Sequence, residues 1–527
     1  MIARGTMVES ATKITRNGAS CSLWLIAVFC LAAGCAQTEP RDPDVIVVAL
    51  RSAPNNLNPL LANDEFSSRV AQLVFSSLMD LGDDLRPQPT LADRIESPDP
   101  KTHIVHLKRG VRFHDGRELT AEDVVYTYRL LLDPAFVSPY KSAYRNLASV
   151  AAIDKYSVVF RLTEPSVAFD VQLTTPPVIP AGSVDTLSRA PIGTGPYRFE
   201  RYDVETQVVL SAFDGYFRGA PDNKGMILKI IPDDTMRGLE LRKRSVDIVV
   251  NQMPPDIVHR FEERHEIQVT RQPGMDLSYI GFNMRDPVVS DVRVRRAISH
   301  AIDREAIVTH LRRGLATVAV GVLPPQVWAA EPNVRQYEFN PARAKQLLDE
   351  AGYSDPDGDG PLPRLHLSLK VGNTEEVILQ ATVVQQDLYR VGIALDVRSY
   401  EFATMFADVV NGNFQLSSLQ WVGGALGDPD ILRRVFHSAQ VPPNGFNRGR
   451  YVNPAVDRLL DLASASIEEG ERRRYYSAAQ KLIADDAPYI PIWHRTHAVI
   501  GQPYLTGLHI NPAGNYESLR DVRRVGE

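Results

Sequence analysis

Cysteine is scarce in this chain, and its placement limits what the folded body can contain. Only three cysteines occur in 527 residues, Cys21, Cys30 and Cys35, so the chain beyond Cys35 has no thiol. Disulfides and cysteine nucleophiles are therefore excluded from that part of the protein. A chain of this length can build several lobes, and its stability must come from apolar burial rather than from crosslinks.

An excess of positive charge and long apolar runs are also missing. The net charge is −6, with a pI near 6.1, which argues against a nucleic-acid partner. No apolar run after Cys35 is long enough to span a bilayer. A Walker loop, a GxSxG elbow and an HExxH pair are absent from the sequence, so nothing favours an enzyme or requires a cofactor.

Metal binding is also not expected. Residues 355–360 (DPDGDG) have the spacing of a calcium loop, but the position that needs a glutamate in an EF-hand is His366. We therefore interpret this segment as a solvated acidic turn.

The N-terminus has the layout of a secretory signal. Lys13 and Arg16 precede an apolar core over residues 23–33, and small residues follow it. Residues 31–35 (LAAGC) resemble the bacterial lipobox, in which the cysteine is lipidated. We expect a lipoprotein signal peptide over 1–35, lipidation of Cys35, a tether over 36–43, and a membrane-tethered periplasmic or extracytoplasmic body. The alternative is a plain signal peptide cut at a neighbouring site.

Helical and strand patterns alternate along the rest of the chain and indicate a mixed α/β protein. Residues 45–50 (VIVVAL) are typical of a buried strand. Thr120 and Asp123 resemble a capping box at the start of a helix. Further strands are predicted at 103–107, 157–162, 207–212, 226–231, 246–250, 365–371 and 393–397. Further helices are predicted at 66–78, after Asp291, Asp303, Asn340 and Asn453, and at 468–484.

Several segments resemble the family 5 extracellular solute-binding proteins, the dipeptide, oligopeptide and nickel class that serves ABC importers. These segments are residues 107–116 (LKRGVRFHDG), 192–199 (IGTGPYRF), 279–283 (YIGFN) with 291–297 (DVRVRRA), 428–430 (DPD) and 490–492 (IPI). They follow one another in the family order from about residue 45 to about residue 508.

The resemblance implies a two-lobe periplasmic binding protein fold with an extra inserted domain, mixed sheets flanked by helices, and a hinged cleft. Lobe I would comprise residues 44–75, 176–272 and 495–527. The inserted domain would be 76–175, and lobe II would be 273–494. Two crossings between the lobes act as a hinge, so the lobes can close on a ligand without rebuilding either core.

The segment 421–430 (WVGGALGDPD) is the first choice for the ligand site. An exposed Trp421 would give a flat stacking wall, and Gly423 and Gly424 would let the backbone approach the ligand. The alternative is a loop that packs its tryptophan into the core of the lobe.

The chain departs from the oligopeptide-binding pattern at one position. In those relatives an aspartate three residues after this tryptophan pairs with the peptide ammonium, and here that position is Gly424. Either Asp428 or Asp430 substitutes for it, or the ligand has no free amine. Asp428 is equally expected to cap the following helix. The missing carboxylate predicts that blocking the amine of a peptide has little effect on its affinity.

Matching the family residue by residue adds further ligand-binding positions. They are Tyr140 in the inserted domain, Asn251 near the hinge, Tyr279, Phe282 and Asn283 on a strand bordering the cleft, and Trp493 and His494 near the C-terminus. For each aromatic residue, ordinary core packing is the alternative.

The resemblance implies a non-enzymatic, monomeric protein that captures peptides or peptide-like solutes and delivers them to an ABC permease. Two alternatives remain open. The ligand could be a sugar, an opine or a nickel chelate, or the protein could be a receptor that senses its ligand.

Overall fold

The described part of the chain contains nineteen strands. The computed structural model describes residues 42–62, 64–166, 169–358, 360–422, 426–442 and 445–526. The chain separates into two units, and the second, Asp44–Glu527, holds these strands. They are β1 (Val45–Leu50), β2 (Met79–Leu81), β3 (Pro87–Pro89), β4 (Ala92–Asp99), β5 (Thr102–Leu107), β6 (Leu147–Asp154), β7 (Ser157–Leu162), β8 (Tyr197–Asp203), β9 (Gln207–Ala212), β10 (Gly225–Ile230), β11 (Ile248–Val250), β12 (Gln268–Phe282), β13 (Ala316–Val318), β14 (Leu365–Gly372), β15 (Ile393–Tyr400), β16 (Leu416–Trp421), β17 (Tyr489–Gly501), β18 (Leu505–Thr506) and β19 (Arg523–Arg524).

Helices flank these strands throughout the unit. They are α1 (Glu65–Val74), α2 (Ala121–Leu132), α3 (Phe169–Gln172), α4 (Asp234–Arg242), α5 (Pro255–Arg264), α6 (Val292–Ala301), α7 (Arg304–Ala306), α8 (Pro341–Glu350), α9 (Glu375–Tyr389), α10 (Phe402–Asn411), α11 (Ile431–Phe436), α12 (Pro454–Ala465) and α13 (Glu469–Asp486). A π-helical turn, Ile307–Arg312, continues α7, and single 3₁₀ segments occur at Lys141–Tyr144 and Tyr516–Asp521. Among the described helices, none is both long and apolar enough to cross a membrane.

One long sheet runs through the described structure, and two of its strands join its halves. Its order is β15-β14-β16-β12-β17-β11-β1-β10-β9-β8, with β13 also paired to β17. β12 pairs with β16 near its C-terminal end, and β17 pairs with β11 near its own C-terminal end. In the described sheet, β12 and β17 connect the two halves, so they are the crossing strands of a two-lobe fold.

The first half of the sheet has β1 at its centre. β1 is parallel to both β10 and β11. Its side chains are buried on both faces, since alternate residues enter two different apolar clusters. This burial explains the unbroken apolar run of VIVVAL, and the predicted strand is confirmed.

A separate four-stranded antiparallel sheet, in the order β4-β5-β7-β6, packs beneath α2. The predicted capping box at the start of α2 is confirmed, with Thr120 as the N-cap and Asp123 at the third position. The backbone N–H of Thr120 donates to Asp123 Oδ2 at 2.9 Å. The cap fixes the first turn of α2, and Val124, Val125 and Tyr128 of this helix belong to the apolar cluster that packs against the sheet.

The second half of the sheet carries two apolar clusters, one on each face. One cluster packs Met275, Leu277 and Tyr279 of β12 against helices α10 to α13. The other packs Ile280 and Phe282 against α6, α8 and α9.

The predicted helix over 66–78 is shorter than expected. α1 ends at Val74, and Phe75 is extended, with φ of −121°. The N–H of Gly195 bonds to the carbonyl of Val74 at 2.9 Å. A Cβ at Gly193 would overlap that same carbonyl oxygen, so only glycine permits this approach. A contact distant in sequence therefore ends the helix.

Candidate functional site

A cavity of about 700 Å³ lies between the two halves of the sheet. One wall includes Gln72 of α1 and Asp80 of β2, and the opposite wall includes Glu376 of α9 and Gln420 of β16. This volume is within the range of small-molecule and peptide sites in proteins.

The two crossing strands carry an ion pair that faces the cavity. Arg495 Nε of β17 donates to Asp276 Oδ2 of β12 at 2.7 Å, and both side chains are mostly buried. Asp276 lies in an irregular stretch where the pairing of β12 with β17 shifts between Pro273 and Leu277. Such bulges turn side chains out of the regular pattern, so the hinge strands present charge to the cavity.

Asn251 is fastened to the hinge by its side chain. Its Oδ1 accepts from the N–H of Ala498 at 2.9 Å, and its Nδ2 donates to His497 Nδ1 at 2.8 Å. The other ring nitrogen of His497 bonds to the carbonyl of Pro512 at 2.9 Å, so the imidazole is neutral with its proton on Nε2. Burial lowers the pKa of His497, which agrees with that state. Asn251 has φ of 60°, a conformation that asparagine tolerates better than most residues.

The carboxylate of Asp80, in β2, forms a polar part of the cavity wall. The carboxylate of Asp80 accepts from the N–H of Leu81 at 2.8 Å and from the amide of Asn515 at 3.2 Å. Glu517 lies nearby and accepts from Arg218 Nη1 at 2.9 Å. Burial raises the pKa of Asp80 to about 6, and the charge of Glu517 adds to the shift.

Two of the residues predicted from the sequence line this cavity. They are Tyr140, in the segment that leads into the 3₁₀ helix Lys141–Tyr144, and Asn251 after β11. Their ligand-binding roles stay predictions, but their positions agree with them.

The prediction that Trp421 exposes its ring to the ligand is wrong. Its side chain is 8% exposed and belongs to an apolar cluster in the second half of the sheet. Tyr279 stacks beside it with ring centroids 6.3 Å apart, and the guanidinium of Arg448 lies 4.8 Å from its ring centre. Side chains alternate along a strand, so Trp421 points into the core while Gln420 and Val422 line the cavity.

Asp428 and Asp430 lie at the start of α11 rather than on the cavity. Asp428 is 7% exposed, and its Oδ1 accepts from the N–H of Asp430 at 3.0 Å. Asp430 Oδ1 accepts from Ser464 Oγ at 2.7 Å. Burial and the neighbouring charge of Asp430 raise the pKa of Asp428 to about 6. The N-cap of α11 is Asp430, without a side-chain capping hydrogen bond, so the predicted cap at Asp428 is wrong.

Tyr279, Phe282 and Asn283 are buried, and none of them is among the described residues that line the cavity. Tyr279 stacks on Tyr489 with ring centroids 4.1 Å apart. Asn283 Nδ2 donates to the carbonyl of Phe414 at 2.8 Å, which fixes a turn after β12. The strand β12 does reach the cavity through Asp276, but Tyr279 and Phe282 pack into apolar clusters on its two faces, and their ligand-binding roles stay predictions.

Trp493 and His494 are also core residues. The indole N–H of Trp493 donates to Gln380 Oε1 at 2.7 Å, and the ring is 1% exposed. His494 bonds to the carbonyl of Gly321 at 3.2 Å, and burial lowers its pKa to about 4. For both residues the structure agrees with the core-packing alternative and not with the predicted pocket position.

Three further predicted residues, Gly423, Gly424 and the lipidation candidate Cys35, lie outside the described part of the chain.

The charged residues of the cavity were missed by sequence reasoning. Asp80, Asp276, Glu376, Arg495 and Glu517 come from distant parts of the chain, so no local spacing groups them. One local signal did exist, since the charged Asp276 lies between the apolar residues Met275 and Leu277 of β12.

The family motifs at 107–116 and 192–199 contact each other rather than the cavity. His114, in the segment 107–116, accepts from the N–H of Gly193 at 3.3 Å on Nδ1 and bonds to the carbonyl of Gly195 at 3.0 Å through Nε2. Burial lowers the pKa of His114 to about 4, so the ring is neutral. The imidazole thus joins two motifs that lie far apart in sequence, away from the described cavity lining.

A search of the described residues finds no group of three or more His, Cys, Asp or Glu side chains placed to hold a metal ion. In the acidic turn, Asp355 Oδ1 instead accepts from the N–H groups of Asp357 and Gly358, at 3.1 and 2.8 Å.

The family model for bacterial extracellular solute-binding proteins, family 5, matches residues 86–442. The chain belongs to this family. The match runs from β3 to α11 and includes Glu376 and Gln420 of the cavity wall, and the predicted resemblance and two-lobe α/β fold are confirmed.

Individual family 5 proteins are similar over most of the chain. Oligopeptide-binding protein AppA of Bacillus subtilis is 28% identical, with 90% of each chain covered. Heme-binding protein A of Haemophilus influenzae is 27% identical, covering 93% of this chain and 95% of that protein. The structure of Bacillus subtilis AppA in complex with a nonapeptide aligns with a TM-score of 0.77 at 26% identity, covering 91% of this chain and 99% of the other.

Proposed function

We propose that this family 5 protein captures peptides or peptide-like solutes in the cavity between its lobes and delivers them to an ABC permease. The observation that carries the proposal is the cavity of about 700 Å³, bounded by both lobes and by the two crossing strands. The relative AppA, named for oligopeptides and seen with a nonapeptide, supports a peptide as the ligand class.

Hinge closure is the proposed mechanism of capture. We assign lobe I to residues 44–75, 176–272 and 495–527, the inserted domain to 76–175, and lobe II to 273–494. Three apolar clusters support this division, because their buried members lie almost wholly within lobe II, lobe I and the inserted domain, respectively. Ligand would stabilise the closed arrangement by the contacts that it makes with both lobes at once.

Side-chain groups around the cavity suit an extended peptide. Gln420, Asn251 and Gln72 offer amide donors and acceptors, and Val422 offers an apolar surface that is 61% exposed. Extended peptides are held by such polar groups, while pockets accept their side chains.

A non-peptide solute is the second candidate. Gly424 occupies the position where oligopeptide-binding relatives have the ammonium-binding aspartate, and one relative is named for heme. A sugar, an opine or a nickel chelate belongs to the same candidate class, and a sensing receptor would bind its ligand in the same cavity.

We further propose that the protein is a monomer that catalyses no reaction, and that lipid on Cys35 tethers it outside the cytoplasm. Family 5 consists of extracellular binding proteins, which supports an exported body. Replacing Cys35 by serine should release the protein from the membrane fraction of the native cell.

Native mass spectrometry of the purified protein tests the ligand class directly. We expect a bound mass that dissociates and fragments as a peptide. A thermal-shift screen with alanine peptides of two to five residues, with several sugars and with heme, provides the comparison. Stabilisation by heme or a sugar and by no peptide would overturn the peptide assignment.

A further inference from the structure

Six carboxylates line the cavity, and most of them are engaged by groups of the protein. Asp64 accepts from the N–H of Ser67 at the start of α1. The cation partners of four others, among the described residues, are Arg69 for Glu65, Arg495 for Asp276, Arg312 for Glu376, and Arg218 with Arg520 for Glu517. These pairs leave little negative charge for a ligand.

Asp64 and Asp80 are the two of these carboxylates without a cation partner among the described residues, and Asp64 already serves as the N-cap of α1. The hydrogen-bond donors to Asp80 are neutral, namely the N–H of Leu81 and the amide of Asn515. No basic side chain in the described part of the chain forms an ion pair with it, although Arg218 is close enough to lower its pKa slightly. Asp80 also lines the cavity, so its unused oxygen lone pairs are available to a bound solute.

A desolvated carboxylate without a cation is an unfavourable arrangement. Burial disfavours its charged form, and the nearby Glu517 adds repulsion. A cation that enters the cavity relieves both effects and forms a charge-assisted hydrogen bond. The charged form of Asp80 therefore destabilises the folded protein, and a bound cationic solute offsets this cost.

We propose that Asp80 binds a primary ammonium group of the ligand and replaces the carboxylate that is absent at position 424. The inference rests on the proposed function. It places the ammonium against β2, on the wall opposite Gln420, and it reverses the expectation that a blocked amine has little effect. The ammonium can belong to a peptide N-terminus or to a lysine side chain.

Calorimetric titration with matched peptides tests this assignment. The ligands are alanine peptides of two to five residues, the same peptides with an acetylated N-terminus, and acetylated peptides that contain one lysine. Wild-type protein should bind at least one amine-bearing form about tenfold or more tightly than the acetylated alanine peptide. Asp80→Asn should remove that preference.

The control variant is Asp83→Asn, in the turn between β2 and β3. It removes the same charge three residues away, but Asp83 is 71% exposed and is not among the residues that line the cavity. It should keep the amine preference. Asp80→Ser serves as a second variant in case the asparagine variant does not fold.

The outcomes separate the two proposals. An amine preference that persists in Asp80→Asn or Asp80→Ser, or a wild-type protein that binds acetylated and amine-bearing peptides equally, overturns the role of Asp80 and leaves peptide capture intact. Wild-type protein that binds no peptide in any form overturns the proposed function and this inference together.

Discussion

Arg86 and Glu469 are 383 residues apart in sequence and form a two-pronged ion pair. Arg86 Nη1 and Nη2 donate to the two oxygens of Glu469 at 2.9 and 3.0 Å. Arg86 ends the turn between β2 and β3, and Glu469 begins α13, so the pair joins the proposed inserted domain to lobe II. The adjacent Leu85 is 2% exposed and lies in an apolar cluster of lobe II.

Removing the ion pair should weaken closure by a small amount. Both side chains are nearly half exposed, so Arg86→Ala should reduce ligand affinity by about 0.2–1 kcal/mol, or up to about fivefold. Isothermal titration with the peptide selected by the thermal-shift screen measures the change. The exchanged pair Arg86→Glu with Glu469→Arg should restore most of the affinity. A double variant weaker than either single variant would count against this pairing.

Leu85→Ala should have a larger effect on ligand affinity than Arg86→Ala. Emptying a buried leucine site costs about 2–5 kcal/mol, and here the emptied site belongs to the opposite lobe. The loss should fall mainly on the closed state, so affinity should decrease by about tenfold or more. Small-angle scattering should show a larger radius of gyration for the variant with ligand than for the wild type with ligand.

Leu73→Ala is the matched control for Leu85→Ala. Leu73 is 0% exposed and lies within a lobe I cluster, so its loss should lower the unfolding temperature without changing ligand affinity. Equal affinities for the two variants would show that the β2–β3 turn does not separate from lobe II when the cavity opens.

Substitution of Trp421 should mainly reduce stability, whereas substitution of Val422 should mainly reduce ligand affinity. Trp421→Ala should lower the free energy of unfolding by about 3–5 kcal/mol, because its ring fills a core. Val422→Ala should change stability by about 0.5 kcal/mol or less while reducing ligand affinity, because Val422 is exposed on the cavity wall. Chemical denaturation and titration measure the two quantities. A stable Trp421→Ala protein that no longer binds ligand would restore the stacking-wall interpretation.

The stability of the ligand-free protein should depend on pH through Asp80. Its pKa is raised from 3.8 to about 6 in the folded state by burial, with Glu517 raising it and Leu81, Arg218 and Asn515 opposing the shift. The folded state therefore binds this proton more tightly, and the associated stability is complete below pH 3.8 and is lost as the pH rises through 6. Above that pH, Asp80→Asn should be more stable than the wild type by an amount on the order of 1–2 kcal/mol.

The control for this prediction is to measure the difference in free energy of unfolding between the wild type and Asp80→Asn at several pH values. The two proteins should have nearly equal free energies of unfolding at pH 4, and the gap should open between pH 4 and pH 6. A constant difference across this range would mean that the charge of Asp80 is not the cause.

Local sequence was sufficient for several secondary-structure elements and for the family. The unbroken apolar run of β1, the capping box of α2 and the proline-led starts of α8 and α12 follow from periodicity and backbone chemistry within a few residues. The family motifs are also readable locally. His114, with Gly193 and Gly195, shows why, since these residues make close backbone contacts that few other residue types permit.

The ligand-facing surface was decided by tertiary structure. Tyr140 and Asn251 were predicted and line the cavity, but Trp421, Trp493 and Tyr279 enter cores. Sequence specifies that neighbouring side chains of a strand point to opposite faces, but only the packing of the lobes determines which face is open. Asp80, for its part, becomes conspicuous only when folding places it on the cavity wall beside Asn515 and without a cation, a circumstance that no local pattern records.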